Sequence, residues 1–191
     1  MSPILVRPVR EQLEHDRIIR QLQAKFRRKF EVGINVGAEQ TSAVGVPPAA
    51  LYPDVVLQAL DRGRKVQCLI EVETGESVNH LEALAEWSHF ARTRAPFHLY
   101  VPAGMVDVAR RLAEDNNIYV SEIWSYHAVG DQMRFTMVYR NKEAPPPLPK
   151  PAAPVREAKP VAKPPVKKAA PKKKPAPKKK AAIRKTASKK K

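Results

Sequence analysis

The sequence predicts an α/β fold in which a mixed central sheet is flanked by helices on both faces, followed by a disordered basic tail. Three observations lead to this prediction. Segments with helical periodicity and segments with strand character follow one another as α-β-β-β-α-β-α-β-β over residues 1–143. Turn residues join the second and third strands, as in a hairpin, whereas a helix separates the third strand from the fourth, as in a parallel crossover. Residues 144–191 are almost entirely proline, alanine and lysine.

The first helix and the three strands after it follow from the spacing of apolar residues. Residues 9–29 carry apolar side chains at three- and four-residue steps with charges between them, which predicts an amphipathic helix. These side chains are Leu13, Ile18, Ile19, Leu22 and Phe26. Residues 30–36 alternate apolar with polar or small residues, as a strand does. A second strand over 54–60 and a third over 65–73 flank the turn residues 61–64, so we expect these two strands to form a hairpin.

A helix over residues 77–94 opens the second half of the body. Ser77 is the predicted N-cap, and Pro96 follows shortly after the helix end. The side chains expected to face inward are Leu81, Leu84, Ala85 and Ser88, while Trp87 and Phe90 are interpreted as core or interface residues. The remaining predicted elements are a strand over 97–101, a helix over 105–115, and two strands over 118–129 and 133–140 joined by a turn.

Charge divides the chain at residue 143. The 191 residues include 35 Lys+Arg and 19 Asp+Glu, for a net charge of +16. Residues 144–191 hold 17 of the basic residues and one acid, so they carry the whole of this charge and residues 1–143 are neutral. We therefore expect one globular domain over residues 1–143, long enough for a single hydrophobic core, and a disordered Lys/Pro/Ala-rich tail over residues 144–191.

A long positive arm suits a polyanion, and nucleic acid is the commonest polyanion inside cells. Because the tail contains no element that reads bases, we expect it to contact phosphates independently of sequence, with DNA as the expected partner. The residues assigned to this contact are Lys167, Lys168, Lys172, Lys173, Lys174, Lys178, Lys179 and Lys180. In composition the tail resembles those of linker histones and bacterial histone-like proteins. A solubilising or localising tail is the alternative.

Several classes of protein are excluded by what the sequence lacks. No apolar run approaches the roughly 20 residues that cross a bilayer, and the N-terminus lacks the apolar stretch of a secretory signal. Cys68 is the only cysteine, which excludes an internal disulfide and a cysteine-based zinc cluster. We therefore expect an intracellular protein of the cytoplasm or nucleoid, or of the nucleus in a eukaryote, without a membrane partner.

Acidic residues gather at one end of the predicted hairpin. Glu71 and Glu73 are two positions apart on the third strand, so their side chains point to the same face. Asp54 begins the neighbouring strand, and we expect its carboxylate to lie beside theirs. Converging carboxylates suit Mg²⁺ or Mn²⁺, which lower the pKa of bound water and so supply a nucleophile for phosphodiester cleavage. Taken singly, however, Glu71 and Glu73 are also what a half-exposed strand shows, and Pro-Asp is ordinary turn chemistry.

These residues resemble the motif of the PD-(D/E)xK nuclease superfamily, which has the restriction-endonuclease-like fold. The resemblance covers residues 9–102 and is carried by Pro53-Asp54, by the Glu71-Val72-Glu73 run 17 residues later, and by the α-β-β-β-α-β order. It implies that Asp54 and Glu71 are ligands of Mg²⁺ or Mn²⁺ and that an acid on the first helix assists. Glu14 is the first candidate for that acid and Glu11 the second.

One position departs from the family pattern. Most members have a lysine where this chain has Glu73, although some restriction enzymes of the superfamily also carry glutamate there. In an enzyme, Glu73 would be a third ligand or would orient the attacking water. In a binding-only descendant, the missing lysine would mark lost turnover.

Three functional hypotheses therefore stand. The first is a metal-dependent endonuclease that the tail anchors to DNA. The second is a non-catalytic nucleic-acid-binding or nucleoid-associated protein built on a degenerate nuclease fold. The third is an interaction module whose tail docks on an acidic partner. The final hairpin also offers a strand edge that could pair in a homodimer.

Overall fold

The computed structural model describes residues 8–130 and 132–142. They form a six-stranded mixed sheet with helices on both faces, which confirms the α/β class and the predicted order of elements. The tail over 144–191, with the lysines assigned to nucleic acid, lies outside the described residues.

Each predicted helix and strand is present, with ends shifted by a few residues. The elements are α1 (Val9–Phe26), β1 (Glu31–Ile34), β2 (Val55–Gln58), β3 (Val66–Val72), α2 (His80–Glu82), a π-helical segment (Ala83–Trp87), α3 (Ser88–Phe90), β4 (Phe97–Pro102), a 3-10 turn (Ala103–Met105), α4 (Val106–Asp115), β5 (Glu122–Val129) and β6 (Gln132–Arg140). In the part of the chain that the structure describes, no helix has the length and apolarity to cross a membrane.

The strands lie in the sheet in the order in which they occur in the chain, β1-β2-β3-β4-β5-β6. The pairs β1/β2, β2/β3 and β5/β6 are antiparallel, and the pairs β3/β4 and β4/β5 are parallel. The predicted β2–β3 hairpin and the parallel crossover after β3 are thereby confirmed. Because Val55 pairs with Ile70, the start of β2 lies beside the end of β3.

Two hydrophobic clusters fill the two faces of the sheet. On one face α1 contributes Ile18, Ile19 and Leu22, which are fully buried against β2 and β3 side chains. Leu13, which was expected on this buried stripe, is 66% exposed. The opposite face is covered by α4 and by the helical stretch 80–90. Each face therefore buries one set of alternate strand residues, as expected for a sheet between two helical layers.

The start of the second helical stretch differs from the prediction. The side chain of Asn79 is the N-cap, because it accepts hydrogen bonds from the backbone N–H groups of Leu81 and Glu82. Ser77 was the predicted cap, but its hydroxyl oxygen instead accepts the N–H of Thr74 at 2.8 Å. Ser77 therefore shapes the turn after β3 rather than the helix.

The buried face of this stretch is also different from the expected one. Leu81 and Leu84 are exposed, at 67% and 46%, so the prediction that they face inward is wrong. Ala83, Trp87 and Phe90 are buried instead, which confirms the core interpretation of the two aromatic residues. Two aromatic rings bury more apolar area than two leucines, and Ala83, Trp87 and Phe90 follow the i, i+4, i+7 spacing of one helix face.

Candidate metal centre

The acidic residues predicted from the sequence meet where β2 begins and β3 ends. Leu69 packs on the face covered by the helical stretch 80–90, whereas Ile70 and Val72 pack on the α1 face. Glu71 and Glu73 continue the first of these alternate sets, so both project toward the helical stretch. The backbone N–H of Asp54 donates to Glu71 Oε2 at 3.2 Å, which fixes the ends of the two strands together.

A third glutamate joins them from the π-helical segment. Carboxylate oxygens of Glu71, Glu73 and Glu86 all lie within 4.8 Å of one another. Glu71 also shares a side-chain hydrogen bond with Glu86. Among the described residues this acidic cluster, Glu71-Glu73-Glu86, is the group whose donor atoms are close enough to hold a metal ion. Sequence reasoning did not single out Glu86.

Glu73 is held by hydrogen bonds of its side chain and of its backbone. Its Oε1 accepts the indole N–H of Trp87 at 2.6 Å. Its backbone N–H donates to the carbonyl of Tyr100 at 2.8 Å, and its own carbonyl accepts the hydroxyl of Tyr126 at 2.7 Å. The residue is 0% exposed. Glu73 is thus part of the core as well as of the acidic cluster, and its carboxylate is oriented by Trp87.

Asp54 lies next to the acidic cluster, but its carboxylate is directed to other groups. Its Oδ2 accepts the backbone N–H of Val72 at 2.8 Å and lies 2.9 Å from Nε2 of the buried His15 on α1. The structure therefore brings Asp54 beside Glu71 through its backbone, while its side chain connects β3 to α1. His15 is a second residue of this region that sequence reasoning did not assign to the site.

The two candidate acids on α1 occupy different surroundings. Glu14 is exposed on the helix, one residue before the buried His15. The carboxylate of Glu11 accepts the hydroxyl of Thr74, which directly follows Glu73. Of the two, it is Glu11 whose contact reaches the end of β3.

The electrostatics of the acidic cluster are dominated by burial. Burial raises the pKa of Glu71 well above its ordinary value, and the negative charges of Asp54, Glu86 and Glu73 raise it further. Glu71 is 4% exposed, so little water is available to screen these charges. The charge of the cluster must therefore be balanced by a bound proton or by a cation.

The donor set fits a hard divalent cation. Mg²⁺ and Mn²⁺ prefer carboxylate oxygens, and three such groups converge here. Glu86 is half-buried, whereas Glu71 and Glu73 are buried, so an ion would approach from the side of Glu86.

Comparison with protein families, curated proteins and solved structures finds no match to this chain. The resemblance to the nuclease superfamily therefore rests on the motif residues and on the order of elements alone.

Proposed function

We propose that this chain is a nucleic-acid-associated protein whose body holds a divalent cation for phosphodiester hydrolysis. The observation that carries the proposal is the convergence of Glu71, Glu73 and Glu86 within 4.8 Å in a buried place beside Asp54. Buried carboxylates at this spacing are costly without a balancing charge, and a divalent cation supplies one.

The residues of the site have separate roles in this proposal. Glu71 and Glu86 offer oxygen ligands, and Glu86 faces the approach from solvent. The indole N–H of Trp87 orients Glu73 as the third carboxylate. A divalent cation, when bound, lowers the pKa of a coordinated water and offsets the negative charge of a phosphodiester.

Asp54 has a positioning role here rather than the ligand role that the family resemblance implies. Its carboxylate accepts the Val72 N–H, and its backbone N–H donates to Glu71, so it holds β2 and β3 in register at the site. His15 lies 2.9 Å from the same carboxylate and is the nearest group on α1 that can exchange a proton with it.

The second candidate function is nucleic-acid binding without catalysis, and one observation favours it. Glu73 replaces the family's usual lysine and is fully buried against Trp87, so this position presents no ammonium group to a phosphate. In that case the acidic cluster would have no catalytic role, and nucleic acid would bind elsewhere on the chain.

Nicking of supercoiled plasmid with Mg²⁺ or Mn²⁺ distinguishes the two candidates. The proteins to compare are the parent, Glu71→Gln, Glu86→Gln and the control Glu14→Gln, which removes the same charge from an exposed position on α1. If the cluster hydrolyses DNA, the parent and Glu14→Gln should both nick the plasmid. Glu71→Gln and Glu86→Gln should nick it at a rate at least about a hundredfold lower, which is on the order of what a general catalytic group contributes. Absence of nicking by the parent with both metals would leave the binding function, and equal nicking by all four proteins would indicate a contaminant.

A further inference from the structure

A groove of about 560 Å³ lies at the opposite end of β2 from the acidic cluster. Asp54 precedes β2 at the cluster, whereas Leu60 follows β2 and lines the groove. The other walls are the C-terminal half of α1 and the start of β1. The residues that matter for the argument are Arg20, Arg27, Phe30, Glu31, Leu60 and Arg64.

The groove carries an excess of positive charge. Arg20 lies on α1 and Arg27, seven residues later, is the C-cap of that helix with helical backbone angles, so the two lie on one face about two turns apart. Both are exposed, and among the described residues neither guanidinium has an ion-pair or hydrogen-bond partner. Arg64 pairs with Glu31 at 3.1 Å, and Glu31 is the only acid among the described residues that line the groove. Since that pair neutralises Glu31, the two α1 guanidinium groups remain available for an anion.

Arg64 is held in an unusual backbone conformation. Its φ is 42°, in the left-handed region that favours glycine, although the preceding residue is Gly63. The conformation directs the Arg64 side chain to Glu31 at the wall of the groove. The turn therefore places a third guanidinium beside the two on α1.

The same groove has apolar surface beside its charges. Phe30 is half-buried and contacts Phe26 edge to face, with ring centroids 6.2 Å apart. Leu60 is 66% exposed at the rim. Guanidinium groups bind phosphate through paired N–H donors, and aromatic faces beside a basic groove stack on unpaired bases. A volume of about 560 Å³ is within the range of small-ligand sites.

We propose that this groove binds one nucleotide unit of single-stranded nucleic acid. Arg20 and Arg27 bind the phosphate. The ion pair of Arg64 and Glu31 forms the far wall of the groove. Phe30 and Leu60 pack against the base. The inference extends the nucleic-acid association of the proposed function to the folded body. It does not depend on the acidic cluster or on catalysis.

The first test measures binding of a fluorescein-labelled oligo(dT) to the full-length chain by fluorescence anisotropy over a series of salt concentrations. The test variant is Arg20→Gln/Arg27→Gln, and the matched control is Arg92→Gln/Arg111→Gln, which removes two exposed arginines outside the groove. Because the two guanidinium groups bind one phosphate, their removal should reduce the slope of log K against log salt by about 0.7, the contribution of one phosphate on a single strand. The control variant should keep the slope of the parent.

The second test locates the binding site by photo-crosslinking a bromouracil-substituted oligonucleotide to the full-length chain, followed by peptide mapping. We expect crosslinks at Phe30 or Leu60 that disappear in the Arg20→Gln/Arg27→Gln variant and remain in the control. Crosslinks confined to residues 144–191, with equal salt slopes for both variants, would overturn the groove while leaving nucleic-acid association by the tail intact. Absence of oligonucleotide binding at low salt would overturn both. A duplex that crosslinks equally well at Phe30 would overturn the assignment to single strands.

Discussion

Replacing Glu71 by glutamine removes the proton-binding group at the centre of the acidic cluster while keeping its size. The glutamine side chain retains an oxygen that can accept the N–H of Asp54, which Glu71 Oε2 accepts at 3.2 Å. The substitution therefore tests the charge of Glu71 with little change in packing. We expect the variant to be more stable than the parent at neutral pH when no divalent cation is present.

The sign and size of this effect follow from the raised pKa of Glu71. Burial, and then the charges of Asp54, Glu86 and Glu73, raise this pKa in the folded protein above the value of about 4.3 for an unfolded chain. Below pH ~4.3 both states hold the proton, so Glu71 contributes no pH dependence. Between that pH and the raised folded pKa, only the folded state keeps the proton, and the free energy of unfolding falls by up to about 1.4 kcal/mol per pH unit. Above the pKa of Glu71 in the folded state both states have lost the proton, and the free energy of unfolding no longer falls with pH.

Urea unfolding from about pH 4 to pH 8 in the presence of a chelator measures this difference. The free energy of unfolding of Glu71→Gln minus that of the parent should be smallest near pH 4 and should grow as the pH rises. Glu14→Gln, which removes a carboxylate from an exposed position on α1, is the control for the loss of a negative charge. Parallel curves for Glu71→Gln and the parent over this whole range would refute the argument that Glu71 is a buried, repelled carboxyl.

Addition of Mn²⁺ should reverse the order of the two proteins. The cation takes the place of the proton on Glu71, so it should stabilise the parent. The stabilisation should be larger at higher pH, because a smaller fraction of Glu71 then carries a proton that the cation must displace. Glu71→Gln should show little response. An unchanged melting temperature of the parent at millimolar Mn²⁺ would contradict a competent site.

Three further outcomes are expected. Trp87→Phe removes the N–H that Glu73 accepts at 2.6 Å and should lower the free energy of unfolding by roughly 1–3 kcal/mol in urea titrations. Gly33→Ala should cost about 1–3 kcal/mol, because its Cβ would lie 2.7 Å from Ser42 Cβ and closer still to Ser42 Oγ, and Ser42→Gly should restore most of the stability. Deletion of residues 144–191 should leave the body folded by circular dichroism and reduce the log–log salt slope of duplex DNA binding by about 0.9 for each phosphate that the tail neutralises in the full-length chain.

Each of these outcomes has a control. Trp124→Phe also removes an indole N–H, which donates to Glu122 at 2.8 Å at a partly buried position, and should cost less than Trp87→Phe. Equal losses of stability would mean that the hydrogen bond to Glu73 has no special weight. If Ser42→Gly failed to rescue Gly33→Ala, the clash with Ser42 would not be the cause of the destabilisation. A truncated chain that binds duplex DNA with the salt slope of the parent would show that the tail is not the anchor.

The order of strands was predictable because chain length and turn chemistry leave few alternatives. The residues between β2 and β3 suffice only for a turn, and the helix between β3 and β4 requires a parallel crossover. The carboxylates of Glu71 and Glu73 were predictable for a similar reason, since a two-residue step on a strand fixes a shared face. Glu86 was not, because it comes from the other layer of the fold and its direction depends on a π-helical turn that no periodicity indicates.

The burial of His15 was indicated by its position on the helix, but histidine is not counted among the apolar residues that mark a buried helix face. The buried residues of α1 are His15, Ile18, Ile19 and Leu22, which follow the steps i, i+3, i+4 and i+7 of one helix face. The pattern of apolar residues includes Leu13 and leaves out His15, although Leu13 lies off this face and is exposed. A histidine in register with the apolar stripe of a helix, together with an aspartate just before a strand, is the pattern that would have identified this contact.

The sequential order of strands in the sheet has a consequence for how the chain folds. In the described sheet each strand pairs with the strands that come immediately before and after it in the chain. Few pairings therefore require the closure of very long loops, and we expect faster folding than in sheets of the same size with distant pairings. The chain emerges from the ribosome at roughly 5–20 residues per second, so the β2–β3 hairpin and the helical stretch that carries Glu86 are available seconds before the last hairpin. The three carboxylates of the acidic cluster all lie between residues 71 and 86. A cation present during synthesis would therefore find its ligands before β5 and β6 exist, and folding in the presence of Mn²⁺ should accelerate the early steps rather than the final docking of β5 and β6.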